Sequence, residues 1–193
     1  MKPPARAIVG NLVWSVDGGV WGVWQVSPFP HAHTAPADKL AVHSRLRGLL
    51  ISLPPAAMLL SVCERLDPVG VVTDMAAGVD IETQDTWVDV CAATGDWLSE
   101  AALYKRRYYV AAELPSARRP WLELLRGAAG EVNGAFGIGP SPVKGDELEA
   151  RRRQAREIET RLASNVSVTP AGAGEICWLY ARALRREAGE PAL

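Results

Sequence analysis

The chain has 193 residues, of which 48% are hydrophobic and 22% are charged, and its formal net charge is −1. Such a composition is typical of a globular protein with a core of its own, and the near-neutral charge gives no overall attraction to nucleic acid or anionic lipid. No apolar run of about 18 residues or more occurs, and the N-terminus lacks the apolar segment of a signal peptide, so we expect a cytoplasmic protein.

The first predicted element is a β-hairpin in the stretch GNLVWSVDGGVWGVWQV, residues 10–26. Two runs of alternating apolar residues flank an Asp-Gly-Gly sequence, and an Asp-Gly pair readily adopts the positive φ angles of a tight hairpin turn. Successive strand residues point to opposite sides, so the tryptophans of the hairpin divide between two faces. We expect Trp24 to lie in the core and Trp21 to lie on the other face.

Helices and strands alternate after the hairpin. The spacing of apolar residues and the positions of proline and glycine predict a helix from Pro36 to Leu53, a buried strand over 57–64, a short helix from Asp67 to about Gly78, a helix from 83 or 84 to about 103, a strand over 104–114, and helices at 120–132, from Asp146, and from Thr169.

This order favours an α+β fold. The hairpin and two further strands are expected to form a mostly antiparallel sheet that packs with several helices. We predict a single domain over residues 1–193, with a sheet-containing part at 1–114 and a mainly helical part at 115–193.

The cysteines and histidines do not predict a metal centre. The three cysteines are odd in number and widely spaced, which favours buried, reduced thiols (Cys63, Cys91 and Cys177). The histidines have no acidic or cysteine partner at ligand spacing, which favours a surface loop followed by a helix (His31, His33 and His43).

No motif predicts a catalytic site or a cofactor. The chain contains neither a Gly-x-Ser-x-Gly nucleophile motif nor a Gly-x4-Gly-Lys-Ser/Thr phosphate loop. The glycines of the first hairpin do not qualify, because a phosphate loop opens a helix and a second strand follows here. We therefore expect a binding or scaffolding domain that has no catalytic residue and no bound cofactor or metal.

One basic stretch, YKRRYY at 104–109, allows two interpretations. Basic residues beside aromatic ones can bind single-stranded nucleic acid, which would assign that contact to Lys105, Arg106, Arg107 and Tyr108. The other interpretation is an edge strand that its charges protect from pairing with another chain. The second is the more common situation, and we prefer it.

Five segments together resemble the N-terminal region of the conjugation ATPases of type IV secretion, the CagE–TrbE–VirB (TraC-like) family, in its actinobacterial form. They are GNLVWSVDGGVWGVWQV, DKLAVHSRLRGLLISLP, LLSVCERLDP, AAGVD and GEICWLYARALRREAGEP, in this order along the chain. In that family this region precedes a RecA-like motor domain that binds ATP. The resemblance therefore implies the N-terminal domain of a longer ATPase, and no nucleotide-binding residue carries over to this chain.

The resemblance also implies partners and a location. The family's N-terminal domain docks on inner-membrane channel subunits and on other ATPase protomers, which implies a homo-oligomer in the full-length protein. The expected location is the cytoplasmic face of the inner membrane, with peripheral association and no bound nucleic acid. Trp21 and Val23 are then the predicted interface, because large rigid rings provide contact area at little entropic cost. The alternative is a hairpin that the chain's own helices cover on both faces.

Overall fold

The computed structural model describes residues 5–29, 35–79, 84–101, 103–115 and 143–184. Its strands are β1 (Ala5–Val9), β2 (Leu12–Ser15), β3 (Val20–Val26), β4 (Ala57–Arg65), β5 (Tyr104–Glu113) and β6 (Val168–Pro170), and its helices are α1 (Pro36–Ser52), α2 (Pro68–Ala76), α3 (Asp85–Ala101), α4 (Gly145–Ala163) and α5 (Ala173–Leu184). A mostly antiparallel sheet with several helices confirms the predicted α+β fold. The helix predicted at 120–132 lies outside the described residues.

The predicted hairpin is present as β2 and β3. Gly18 has a φ of 95°, which a residue with a side chain rarely adopts, and the Gly19 N–H donates to the Asp17 carboxylate at 3.2 Å. The Ser15 N–H closes the turn on the Gly19 carbonyl at 2.8 Å. The Asp-Gly-Gly sequence therefore determines this turn, as the sequence predicts.

The strand order is β1-β2-β3-β5-β4, and β6 also pairs with β3. Because β2 has only four residues, it pairs with the first part of the seven-residue β3, and β6 pairs with the remainder, Trp24–Val26.

This sheet order shows that two of the predictions are wrong. Thr169-Pro170 belongs to a strand and does not open a helix, and β5 is an inner strand that needs no charge to protect an edge.

One face of the sheet carries the main hydrophobic core. Trp24 is fully buried there and Trp14 is 2% exposed, together with Leu12 of β2 and with Val110 and Ala112 of β5. Helix α4 covers this face with three buried apolar residues (Ala155, Ile158 and Leu162), and α1 adds Leu49. The Trp24 indole N–H donates to Glu159 Oε2 at 3.3 Å. The prediction that Trp24 lies in the core is confirmed.

Gly22 is required beside this tryptophan. Residues 22 and 24 lie on the same face of β3, and a Cβ at position 22 would overlap the ring of Trp24. The missing side chain therefore provides the space in which the indole lies against the sheet.

Helix α1 and strand β4 expose several of their apolar residues, so the prediction of a buried strand over 57–64 is wrong. The helix α1 exists, but its leucines are mostly exposed (Leu40, Leu46 and Leu50), and among its residues only Leu49 is buried. The strand β4 also exists, yet Met58 and Leu59 are exposed. Since β4 is last in the strand order, it has one neighbouring strand, and its apolar residues have less of the fold to cover them.

The chain forms two compact units, one of residues up to Ser61 together with those from Arg107 onward, and one of Val62–Arg106. In the second unit the sequence Asp67-Pro68 predicts an N-cap for α2, and the structure confirms it, since the Asp67 carboxylate accepts from the backbone N–H groups of Val69 and Gly70. Helix α3 packs on α2 and buries Cys91 and Leu98. The single domain over 1–193 stays a prediction, and β6 shows that the part at 115–193 also contributes to the sheet.

Candidate interaction surfaces

The face of β3 that carries Trp21 and Val23 is continuous with a face of β5. The register pairs Val23 with Ala111 and Gln25 with Tyr109, so these side chains lie on one side of the sheet. Val23 is only 6% exposed, and Trp21 is half-buried. The expectation that Val23 forms part of an uncovered apolar surface is therefore wrong.

Helix α5 covers this second face. Its buried residues Ile176 and Trp178 lie outside the core cluster of the first face, and the Ala171 N–H just before the helix donates to the Val23 carbonyl at 3.1 Å. The alternative interpretation, a hairpin covered on both faces by the chain's own helices, describes the structure better. The sequence predicts an apolar stripe for this helix at Ile176, Leu179, Tyr180, Ala183 and Leu184. Trp178 lies outside that stripe and is nevertheless buried, because its burial depends on how the helix packs on the sheet.

A buried polar cluster fixes α5 to β5. Glu175 is 7% exposed, and its Oε1 accepts from the Tyr109 hydroxyl at 2.6 Å and from Arg107 Nη1 at 3.3 Å. Its Oε2 accepts from the Gly172 N–H at 3.2 Å, which caps the start of α5. Burial, reinforced by the hydrogen bond to Glu175, raises the pKa of Tyr109 well above its ordinary value. The tyrosine therefore stays protonated and acts as a donor.

Two further titratable groups lie near the hairpin turn. The Ser15 hydroxyl and the Gly19 N–H stabilise the Asp17 carboxylate and lower its pKa, against the effect of partial burial. Burial raises the pKa of Tyr180 on α5, and the negative charge of Asp17 adds to that shift. The negative charge at the hairpin turn therefore favours the protonated form of this tyrosine.

The side chains of the basic stretch, residues 104–109, alternate between the two sides of β5. Lys105 and Arg107 each lie within ion-pair distance of a carboxylate, Glu64 at 3.6 Å and Glu175 at 3.3 Å. Arg106 and Tyr108 alternate with them and are exposed. The four residues predicted for nucleic-acid contact are therefore not presented together, and two of the three cationic charges are offset by a neighbouring acid.

Among the described residues no group of three or more histidine, cysteine, aspartate or glutamate side chains is placed to hold a metal ion. The three cysteines are unpaired, and Cys63 and Cys177 are exposed, so the prediction that all three thiols are buried is wrong for these two. His43 is exposed on α1, and His31 and His33 lie outside the described residues. Within the described ranges, no helix is both long enough and apolar enough to cross a membrane.

Helices α1 and α3 each carry strongly exposed apolar side chains, as do α2 with Val69 and β5 with Tyr104. On α1, Leu40 and Ile51 are 72% and 73% exposed, and on α3 Trp97 is 58% exposed. Val90 lies one heptad before Trp97 on the same side of α3 and is exposed too. The apolar spacing of both helices is visible in the sequence, but the sequence does not show that these residues face outward.

Comparisons of the chain with protein-family models, with curated proteins and with solved structures found no match.

Proposed function

We propose that the chain is a non-catalytic assembly domain of a type IV secretion ATPase, and that it docks on inner-membrane channel subunits and on other protomers during conjugative DNA transfer. The five ordered segments that resemble the N-terminal region of those ATPases support this assignment. It places the domain at the cytoplasmic face of the inner membrane.

The observation that carries the proposal is a contrast in burial: in the described structure some polar side chains are buried while several large apolar side chains are exposed. Buried polar side chains such as Glu175 and Tyr109 bond to each other and hold the fold together. Large apolar side chains such as Trp97, Leu40 and Ile51 are exposed instead. Exposed apolar patches commonly mark protein–protein contacts, so this distribution supports a docking domain.

The alternative, a nucleic-acid-binding module, finds less support. Lys105 and Arg107 are paired with carboxylates, and an offset charge releases fewer counterions when a phosphate approaches. We expect single-stranded oligonucleotides to bind weakly at physiological salt. A clear shift of such an oligonucleotide that disappears in Arg106→Ala would favour the alternative.

The test of the proposed function is co-purification with the membrane partners. The tagged chain is co-expressed with the inner-membrane channel subunits of a conjugative element and purified in detergent. We expect the subunits to be retained, and Trp21→Ala to reduce retention, since this half-buried ring is the remaining predicted interface residue. Tyr104→Ala, which removes an exposed ring elsewhere, is the matched control. Failure of every channel subunit to co-purify would contradict docking.

A second test addresses the assignment as non-catalytic. Calorimetric titration of the chain with magnesium and ATP should show no binding, because no phosphate loop is present in the sequence. A specific site of micromolar affinity would contradict the proposal.

A further inference from the structure

Helix α1 has an exposed face that combines apolar and basic residues. Within the helical period, four exposed apolar residues share one side of α1 with three basic ones, and we call this set the α1 face: Leu40, Leu46, Leu50, Ile51, Lys39, His43 and Arg47. The helix carries Lys39, Arg45 and Arg47 against a single acidic residue, Asp38. Only Leu49, on the other side of the helix, is buried.

Helix α3 has an exposed face of the opposite charge. Four acidic residues lie along one side of the helix next to two exposed apolar residues, and we call this set the α3 face: Asp85, Asp89, Asp96, Glu100, Val90 and Trp97. The sequence of α3 contains no lysine, arginine or histidine. Among the described residues, no ion pair offsets these four carboxylates.

We propose that the α1 face of one copy of this chain docks on the α3 face of a second copy. The two helices have 17 residues each, so both are about 25 Å long and can lie side by side over their whole length. The apolar residues would form the centre of the contact, and the basic side chains of α1 would meet the carboxylates of α3.

Charge determines which pairs of helices associate. Two α1 faces would bring cationic side chains together, and two α3 faces would bring four carboxylates against four. Like charges across an interface are unfavourable, so each face rejects a copy of itself and accepts the other. The contact can occur twice in a reciprocal dimer or once per neighbour in a ring.

The inference deepens the proposed function by locating the contact between protomers, and it rests on that function for its biological setting. The contact itself follows from the charge and exposure of the two helices. Its test uses the purified chain without channel subunits, so that self-association and docking on the channel can fail independently.

The first measurement is the mass of the chain in solution by light scattering, over a range of protein concentrations. We expect the mass to rise with concentration, and the association to weaken when salt is raised from about 0.02 M to 0.5 M, since the ion pairs at the edge of the contact are then screened. A chain that stays monomeric at low salt overturns the proposal.

The second measurement uses charge reversals on each face. Arg47→Glu and Asp96→Lys should each weaken association by about tenfold or more, because each replaces an attraction with a repulsion. Arg45→Glu lies on the opposite side of α1, and Asp74→Lys lies on α2; both are exposed and serve as matched controls that should associate like the wild type. Circular dichroism and thermal unfolding show whether each variant is folded.

The third measurement is decisive, since it asks whether the two faces recognise each other. The Arg47→Glu chain keeps an intact α3 face and the Asp96→Lys chain keeps an intact α1 face. An equimolar mixture of the two should therefore associate although each variant alone is monomeric. A mixture that stays monomeric overturns the proposal, as does a wild type whose association neither reversal affects. A monomeric wild type whose melting temperature both reversals lower would show that the faces meet within one chain, and would likewise overturn it.

Discussion

The hairpin β2–β3 and the helix α3 use tryptophan in opposite ways. Trp14 and Trp24 are almost completely buried in the hairpin, whereas Trp97 of α3 is more than half exposed. Both regions have apolar residues at the spacing of their secondary structure. The difference arises because helices cover both faces of the hairpin, while the described structure covers α3 on only part of its circumference. Apolar periodicity identifies a face, and the remainder of the fold decides whether that face is buried.

The largest expected effect tests this contrast directly. Trp24→Ala should lower the free energy of unfolding by about 3–5 kcal/mol, because it leaves a cavity in the core and removes the hydrogen bond to Glu159. Trp97→Ala should change it by less than about 0.5 kcal/mol, as an exposed side chain does. Urea denaturation of the two variants measures both values. Equal losses would show that Trp97 is buried in solution.

The buried cluster that holds α5 should give the next largest effect. Glu175→Ala leaves the buried Tyr109 hydroxyl without its acceptor and Arg107 without this carboxylate, which should lower the free energy of unfolding by about 2–3 kcal/mol. Glu175→Gln keeps an acceptor for the hydroxyl and should lose less. Urea denaturation compares the two variants, and equal losses would mean that the hydrogen bond to Tyr109 contributes little.

Gly22→Ala tests the packing of Trp24 against the sheet. The added methyl group would overlap the indole ring, and overpacking of this kind costs about 1–3 kcal/mol. Gly174→Ala in α5 is the control, since no atom lies near the position of its Cβ, and alanine is the better helix former. Thermal unfolding should show a lower melting temperature for Gly22→Ala alone. An unchanged melting temperature would show that the ring can move aside.

The smallest effect is a dependence of stability on alkaline pH. The pKa of Tyr109 is raised in the folded chain, so above about pH 10 the unfolded chain ionises this residue while the folded chain does not. The stabilisation is therefore complete below about pH 10 and is lost progressively as the pH rises, by about 1 kcal/mol at pH 11. Tyr109→Phe should reduce this slope, and the raised pKa of Tyr180 should preserve part of it. Urea denaturation at pH 8 to 11 measures both slopes, and identical slopes would contradict the assignment.

Most of the helices and strands can be predicted from the sequence, but fewer of the buried faces can. The hairpin turn, the cap of α2 and the strand β5 could be predicted because each depends on a few neighbouring residues. The sequence does not predict β1, and it predicts the start of a helix where β6 lies. The pairing of β6 depends on the half of β3 that β2 leaves unpaired, more than 140 residues earlier in the chain.

The candidate surfaces were harder to predict than the elements. Trp21 and Val23 were expected on the outside because the hairpin shows two apolar faces, and nothing local indicates that α5 covers the second one. The apolar residues of α1 and α3 have the spacing of an amphipathic helix, and that spacing does not say that they are exposed. A helical stripe has the same spacing whether it faces a core or a partner.

The sequence by itself determined the local geometry of this protein. Gly18 provides the positive φ angle of the hairpin turn, Asp67 caps a helix, and the side chains of β3 alternate between two faces. Each of these features depends on backbone stereochemistry and on residues close by in the chain. The tertiary structure alone decided which faces are buried and which charges are paired. Burial depends on which distant element packs on a face, as α5 packs on β5 where Glu175 contacts Tyr109. Such contacts between residues far apart in the chain leave no periodic signal in the sequence.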